Sequence, residues 1–215
     1  MTRYSKFLTV GAAVGTVTFL VGAASANMVT NPGFETGDFT GWSSYGSWYV
    51  SNNPNDVHSG TWAAVNSLTV SAGTTSTTYS GLYQNITDTT AAGQAFNASA
   101  WISTAATNGY SEAFFQVQFQ NSSGNVLQQD VTTPVTVDQA YAQYTLSNLV
   151  APSGTTIIQV QGVVEGIGGL TATSSNTGYT RFDDFSLTPV PEPASIALMT
   201  LGIASLALVS RRRRA

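Results

Sequence analysis

The chain has 215 residues, with 7 basic and 11 acidic side chains, a single histidine and no cysteine. The missing cysteines exclude disulfides, thiolate metal centres and cysteine nucleophiles. Between residues 27 and 189 one basic residue, Arg181, stands against ten acidic ones, a net charge near −9; phosphate-backbone binding needs clustered Lys and Arg, so no nucleic-acid partner is expected.

In chain order, the first predicted element is a secretory signal peptide over residues 1–26. Arg3 and Lys6 supply its positive start, Phe7–Gly22 its apolar run, and Ala24-Ser25-Ala26 an A-x-A site that places cleavage before Asn27. Residues 27–189 then number about 163, enough for one domain with a sizeable core.

Through this region the hydrophobic period is two. In "QAFNASAWIS", Phe96, Ala98, Ala100 and Ile102 point one way and Trp101 the other. In "EAFFQVQFQ", Phe115, Val117 and Phe119 share a face, with Gln116, Gln118 and Gln120 opposite. Ile158 and Val160 alternate with Ile157, Gln159 and Gln161. Further strands are predicted in "TWAAVNSLTV", "SGLYQNITD", "AQYTLSNLV" and "TRFDDFSLT". Turn signals separate them at Asn108-Gly109, Ser123-Gly124-Asn125, Pro152-Ser153-Gly154 and Gly166–Gly169. Many short strands punctuated in this way make an all-β antiparallel sandwich.

Residues 190–215 change character. Pro191-Glu192-Pro193 is followed by Ala194–Val209, 16 residues without a charge, and by Arg211–Arg214. As a helix the run covers roughly 24 Å, short of a bilayer core of about 30 Å, but snorkelling arginines extend it. The arginine block stays on the cytoplasmic side. With the signal peptide, this describes an exported chain held transiently in the inner membrane. The triplet, apolar span and basic end, in that order, resemble the PEP-CTERM sorting signal of Gram-negative bacteria. The resemblance implies that an exosortase-type sorting protease recognises Pro191, Glu192 and Pro193 and removes the tail. It also implies a destination at the cell surface or in the exopolysaccharide matrix.

The body carries a second resemblance. "NPGFETGDFTGW" opens it, "HSGTWAAV" follows and "FDDFSL" closes it; this order is similar to the jelly-roll carbohydrate-binding modules, and it implies that fold. In those modules the Glu of F-E and the first Asp of the closing D-D ligate a structural calcium, completed by backbone carbonyls of the opening segment and of an S-G turn. The corresponding positions here are Glu35, Asp183, Asn31 and Ser59. Such a set of hard oxygens suits calcium, which would staple both ends of a cysteine-free domain. For sugar recognition, Trp101 with Gln116, Gln118 and Gln159 would form an aromatic-plus-amide surface if their strands share a sheet.

Nothing in the sequence builds a catalytic centre. His58 is the only base of its kind, there is no G-x-S-x-G turn, and no spacing brings Glu112 and Glu165 together. The expected function is non-catalytic binding of extracellular polysaccharide. A structural matrix protein without a defined ligand and a secreted glycoside-active enzyme are the alternatives.

Overall fold

The computed structural model describes residues 25–191 apart from 74–75, 90, 107–110 and 167–175; the expected signal peptide and membrane-spanning tail helix lie outside the described residues. Ten strands follow one another: β1 (Ser43–Tyr45), β2 (Trp48–Ser51), β3 (Ala63–Val70), β4 (Thr78–Thr87), β5 (Ala95–Ala105), β6 (Ser111–Gln120), β7 (Val126–Val131), β8 (Gln139–Val150), β9 (Ile157–Gly166) and β10 (Asn176–Pro189). They form two five-stranded sheets, ordered β1-β4-β9-β6-β7 and β2-β3-β10-β5-β8. Every pairing is antiparallel. The sequence-adjacent strands β3 and β4, and likewise β5 and β6, lie in different sheets, as a jelly roll requires. Residues 25–190 form one compact unit.

The alternation read from the sequence sets the core. Phe96, Ala100, Ile102, Phe115, Val117, Phe119, Ile158 and Val160 are all fully buried between the sheets. Aromatics from both chain ends meet there: Trp42 lies 4.7 Å from Phe185 and 5.3 Å from Phe34, ring to ring. Trp42 therefore packs inside, its indole N–H donating to the Asn31 carbonyl. Phe182 needs the bare backbone of Gly162 beneath it, since a Cβ there would stand 2.8 Å from its ring. The opening segment is tied to β10 without any disulfide. Asn27 accepts from the Leu187 N–H and donates to the Phe185 carbonyl, while the Met28 N–H donates to Leu187.

The segment between β2 and β3 folds over the outer face of the second sheet. There Asp56 is paired with Arg181 at 2.5 Å, both nearly enclosed, and accepts from the Ser51 hydroxyl. The lone cation of the domain thus neutralises a buried carboxylate instead of facing solvent.

Candidate functional site

Two clusters of polar side chains stand out, one on each sheet. The first lies under the β2–β3 segment. Asp183 on β10 points away from the core yet is 0 % exposed, because residues 58–59 close over it. Its Oδ2 accepts the backbone N–H groups of His58 and Ser59, and its Oδ1 that of Asp184. Burial and the adjacent Asp184 carboxylate push the Asp183 pKa up to about 6, against the lowering effect of those N–H donors. Asp184, held at a positive φ of 48°, accepts from the Ser59 hydroxyl and lies 2.7 Å from His58 Nδ1. The His58 ring stacks on Trp101 at 3.8 Å. One atom each of His58, Asp183 and Asp184 lie within 4.8 Å of one another.

Glu35 comes close to this cluster across Gly33. A Cβ on Gly33 would sit 3.2 Å from Asp184 Oδ1, 3.3 Å from Asp183 Oδ1 and 3.8 Å from Glu35 Cγ. The Glu35 carboxylate accepts the Thr61 and Trp62 N–H groups and presses on Gly60. Of the expected set, Asp183 stands in the cluster, Ser59 meets it through its N–H and hydroxyl and not through its carbonyl, and Glu35 lies alongside with its carboxylate turned to the Thr61 and Trp62 N–H groups. The Asn31 carbonyl is differently engaged, accepting from Trp42 Nε1 and from the Phe34 N–H. The sequence reading did not place His58 or Asp184 in this set; the order His58-Ser59-Gly60 and the doubled aspartate were the only available signals.

The second cluster covers the outer face of the first sheet. Register sets Gln116 opposite Gln161, and Gln118 opposite Gln159 and Gln129. Their amides form a directed chain: Gln120 Nε2 donates to Gln118, Gln118 to Gln129, Gln129 to Gln116, Gln116 to Gln161, and Gln161 to the Tyr45 hydroxyl. Such head-to-tail amides polarise one another. Gln159 donates to Asn85 on the neighbouring strand. Gln116 and Gln161 are only 6 % and 4 % exposed, so they do not form the open surface that outward alternation suggested. Tyr45 (42 % exposed) lies 6.5 Å from Tyr83, ring to ring, and leans over Gly81, where a Cβ would stand 2.5 Å from its ring. At the end of this face Glu112 and Glu165 are direct cross-strand partners. Burial and the Glu165 charge raise the Glu112 pKa, and Glu165 raises that of Tyr79.

The expected Trp101-plus-glutamine surface is corrected by this topology. Trp101 is on β5 of the second sheet and under His58, whereas Gln116, Gln118 and Gln159 are on β6 and β9 of the first. They lie on opposite outer faces of the sandwich. The aromatic partners of the amides are Tyr45 and Tyr83 instead.

The sorting signal read at the C-terminal end is matched independently: the PEP-CTERM protein-sorting motif covers residues 189–214. The chain carries a PEP-CTERM sorting motif. That motif marks it for export and for recognition by an exosortase. No curated protein is similar to it in sequence. Among solved structures, a carbohydrate-binding module, TmCBM61, in complex with β-1,4-galactotriose matches with a TM-score of 0.54 at 20 % identity. The match covers 77 % of this chain and all of that one. The CBM22-1 xylan-binding domain of Paenibacillus barcinonensis Xyn10C matches at 0.52 and 18 %, over 79 % and 97 %. The enzymatically active domain of bacteriophage CBA120 tailspike protein 4 matches at 0.55 and 16 %, over 76 % of this chain but 21 % of that one. At these identities the likeness is one of fold: the body is a sandwich of the carbohydrate-binding-module type.

Proposed function

We propose that the protein is an exported, non-catalytic module that binds neutral polysaccharide outside the cell, on the outer face of its first sheet. The observation that carries this reading is the glutamine chain ending at Tyr45. A tyrosine ring offers a flat apolar surface to the C–H face of a sugar, and the less buried amides of Gln118, Gln129 and Gln159, held in line by the buried pair Gln116–Gln161, offer donors and acceptors to its hydroxyls. The likeness to modules solved as xylan- and galactan-oligosaccharide binders supports the same reading. A domain near −9 repels polyanions, which favours an uncharged polymer. The biofilm matrix of the producing cell is the natural place to meet one. The Glu112–Glu165 pair favours cleavage as a second reading, and release of reducing ends from the bound glycan would establish it. Calorimetry with β-1,4-galactotriose and xylohexaose tests the site itself. Tyr45→Ala is expected to cut affinity at least tenfold, about 1.4 kcal/mol; its melt should also fall, because Gly81 loses its cover and the Gln161 amide its acceptor, so affinity is compared at a temperature where both proteins are fully folded. Equal affinity in the variant would remove the site from this face.

The buried carboxylates supply a second element of the reading. Asp183 and Asp184 converge on Gly33 with Glu35 alongside, and among the described residues no Lys or Arg pairs with them; a hard divalent cation would offset that charge. Calcium held by Asp183 with Asp184 and Glu35 would pin β10, the opening segment and the Ser59-Gly60 turn together. Its role would be structural.

Sorting completes the proposal. After export the tail would anchor the chain transiently in the inner membrane until an exosortase cuts near Pro191–Pro193. Intact mass of the surface or secreted protein is expected to end close to Pro193. A mass that retains Arg211–Arg214 would contradict removal of the tail.

A further inference from the structure

We infer that the outer face of the second sheet carries a separate saccharide groove, which takes a single neutral sugar ring through hydroxyl contacts alone. The groove encloses about 230 Å³ and is lined by Asn97, Ser99, Thr145, Ser147, Ser186 and Thr188, with Ala98 at its floor. It belongs to neither cluster described above and lies on the opposite side of the sandwich from Tyr45.

Its shape has an identifiable origin. The β10–β5 register breaks between Asp183 and Ser186, and the β5–β8 register between Phe96 and Ala98. Asp184 (φ 48°) and Asn148 (φ 56°) occupy left-handed positions at these two irregularities. Bulges bend a sheet and re-aim its side chains. Two of them in adjacent strand pairs dent an otherwise flat face between β10, β5 and β8.

The chemistry of the lining selects the ligand. Asn97 Oδ1 accepts the Asn148 N–H, and Ser99 receives a long 3.4 Å contact from Gln143. Among the described residues the hydroxyls of Thr145, Ser147, Ser186 and Thr188 have no protein hydrogen-bond partner. Each can donate and accept, as a sugar hydroxyl does. Among the described residues no charged side chain lines the groove, so none there neutralises an anion or a cation. The volume falls below the roughly 300–1,000 Å³ of sites for drug-sized ligands, which fits one ring of a chain. With the Tyr45 face on the other sheet, the domain would bridge two polysaccharide strands; this consequence, unlike the groove, rests on the function proposed above.

The test is a 15N NMR titration of the exported protein with D-galactose, D-xylose and D-glucose. Concentrations reach roughly 100 mM, since single-ring contacts give affinities on the order of millimolar. Shifts are expected at the amides of 97–99, 145–147 and 186–188 with at least one of the three. They should persist in Tyr45→Ala and weaken at least tenfold in Thr145→Val/Ser186→Ala, which keeps shape but removes two hydroxyls. Shifts confined to residues around Tyr45 would overturn the groove while sparing the function proposed above. Groove shifts indifferent to Thr145→Val/Ser186→Ala, or no groove shift with any sugar, would overturn it equally.

Discussion

Arg181→Ala is expected to be among the most damaging single substitutions in the domain, costing about 3–5 kcal/mol. The ion pair with Asp56 is largely enclosed, its side chains 16 % and 12 % exposed. Among the described residues, removing the guanidinium leaves the Asp56 carboxylate with only the Ser51 hydroxyl as a side-chain donor. Buried charge without a partner is far costlier than a broken surface pair, which is worth about 0–1 kcal/mol. The damage should spread, because Asp56 anchors the segment that covers Asp183, and the Tyr141 hydroxyl donates to the Asp56 carbonyl. For a domain of this size each kcal/mol shifts the melt by about 2–4 °C, so thermal unfolding would fall by roughly 6–20 °C. The double variant Asp56→Asn/Arg181→Met removes both charges and should recover part of the loss. A fall of under 2 °C in Arg181→Ala would show that solvent reaches the pair.

The second large effect concerns the Asp183 and Asp184 carboxylates beside Gly33. With a chelator present, stability should fall as pH rises from about 4 to about 6. The sign follows from the raised pKa. Folded Asp183 holds its proton up to about 6, whereas an unfolded aspartate releases it near 3.9. Over that interval the folded state binds more protons, so raising the pH favours unfolding. Added calcium at pH 7 should reverse the loss, contributing about 2.7 kcal/mol at a hundredfold excess over Kd, or about 5–11 °C. At pH 4.5 the calcium effect should shrink, because protonated Asp183 is a poor ligand. Asp183→Asn keeps the shape and should abolish most of the calcium response. A melt at pH 7 indifferent to both EDTA and calcium would contradict a structural metal.

The elements that sequence made legible are those whose signal is local. The PEP triplet, apolar run and arginine block sit side by side, so their meaning survives without a fold. Alternation likewise assigned the buried sides of β5, β6 and β9, because burial on one face imposes a period of two. Alternation reports a face and not a sheet, however. Consecutive strands of a jelly roll cross between sheets, so Trp101 and Gln116, only 15 positions apart, end on opposite sides. The short edge strands β1, β2 and β7 escaped notice because they bury little and show no pattern. Tyr45, on one of them, was missed with its strand. The facing of Glu112 and Glu165 depends on β6–β9 register, and the meeting of His58 with Asp184 on a segment folding back across 126 positions. Neither leaves a trace in spacing. The near-burial of Gln116 and Gln161 arises because the amides bond one another, which no single-strand pattern reveals.

The most direct measurement of the central claim is co-sedimentation of the exported protein with the exopolysaccharide of its own producing cell, wild type against Tyr45→Ala. The account expects the wild type to pellet with the polymer, and Tyr45→Ala to need at least tenfold more polymer for half-binding at a temperature where both are fully folded. A wild type that stays in the supernatant, or a variant that binds as well as the wild type, would contradict it.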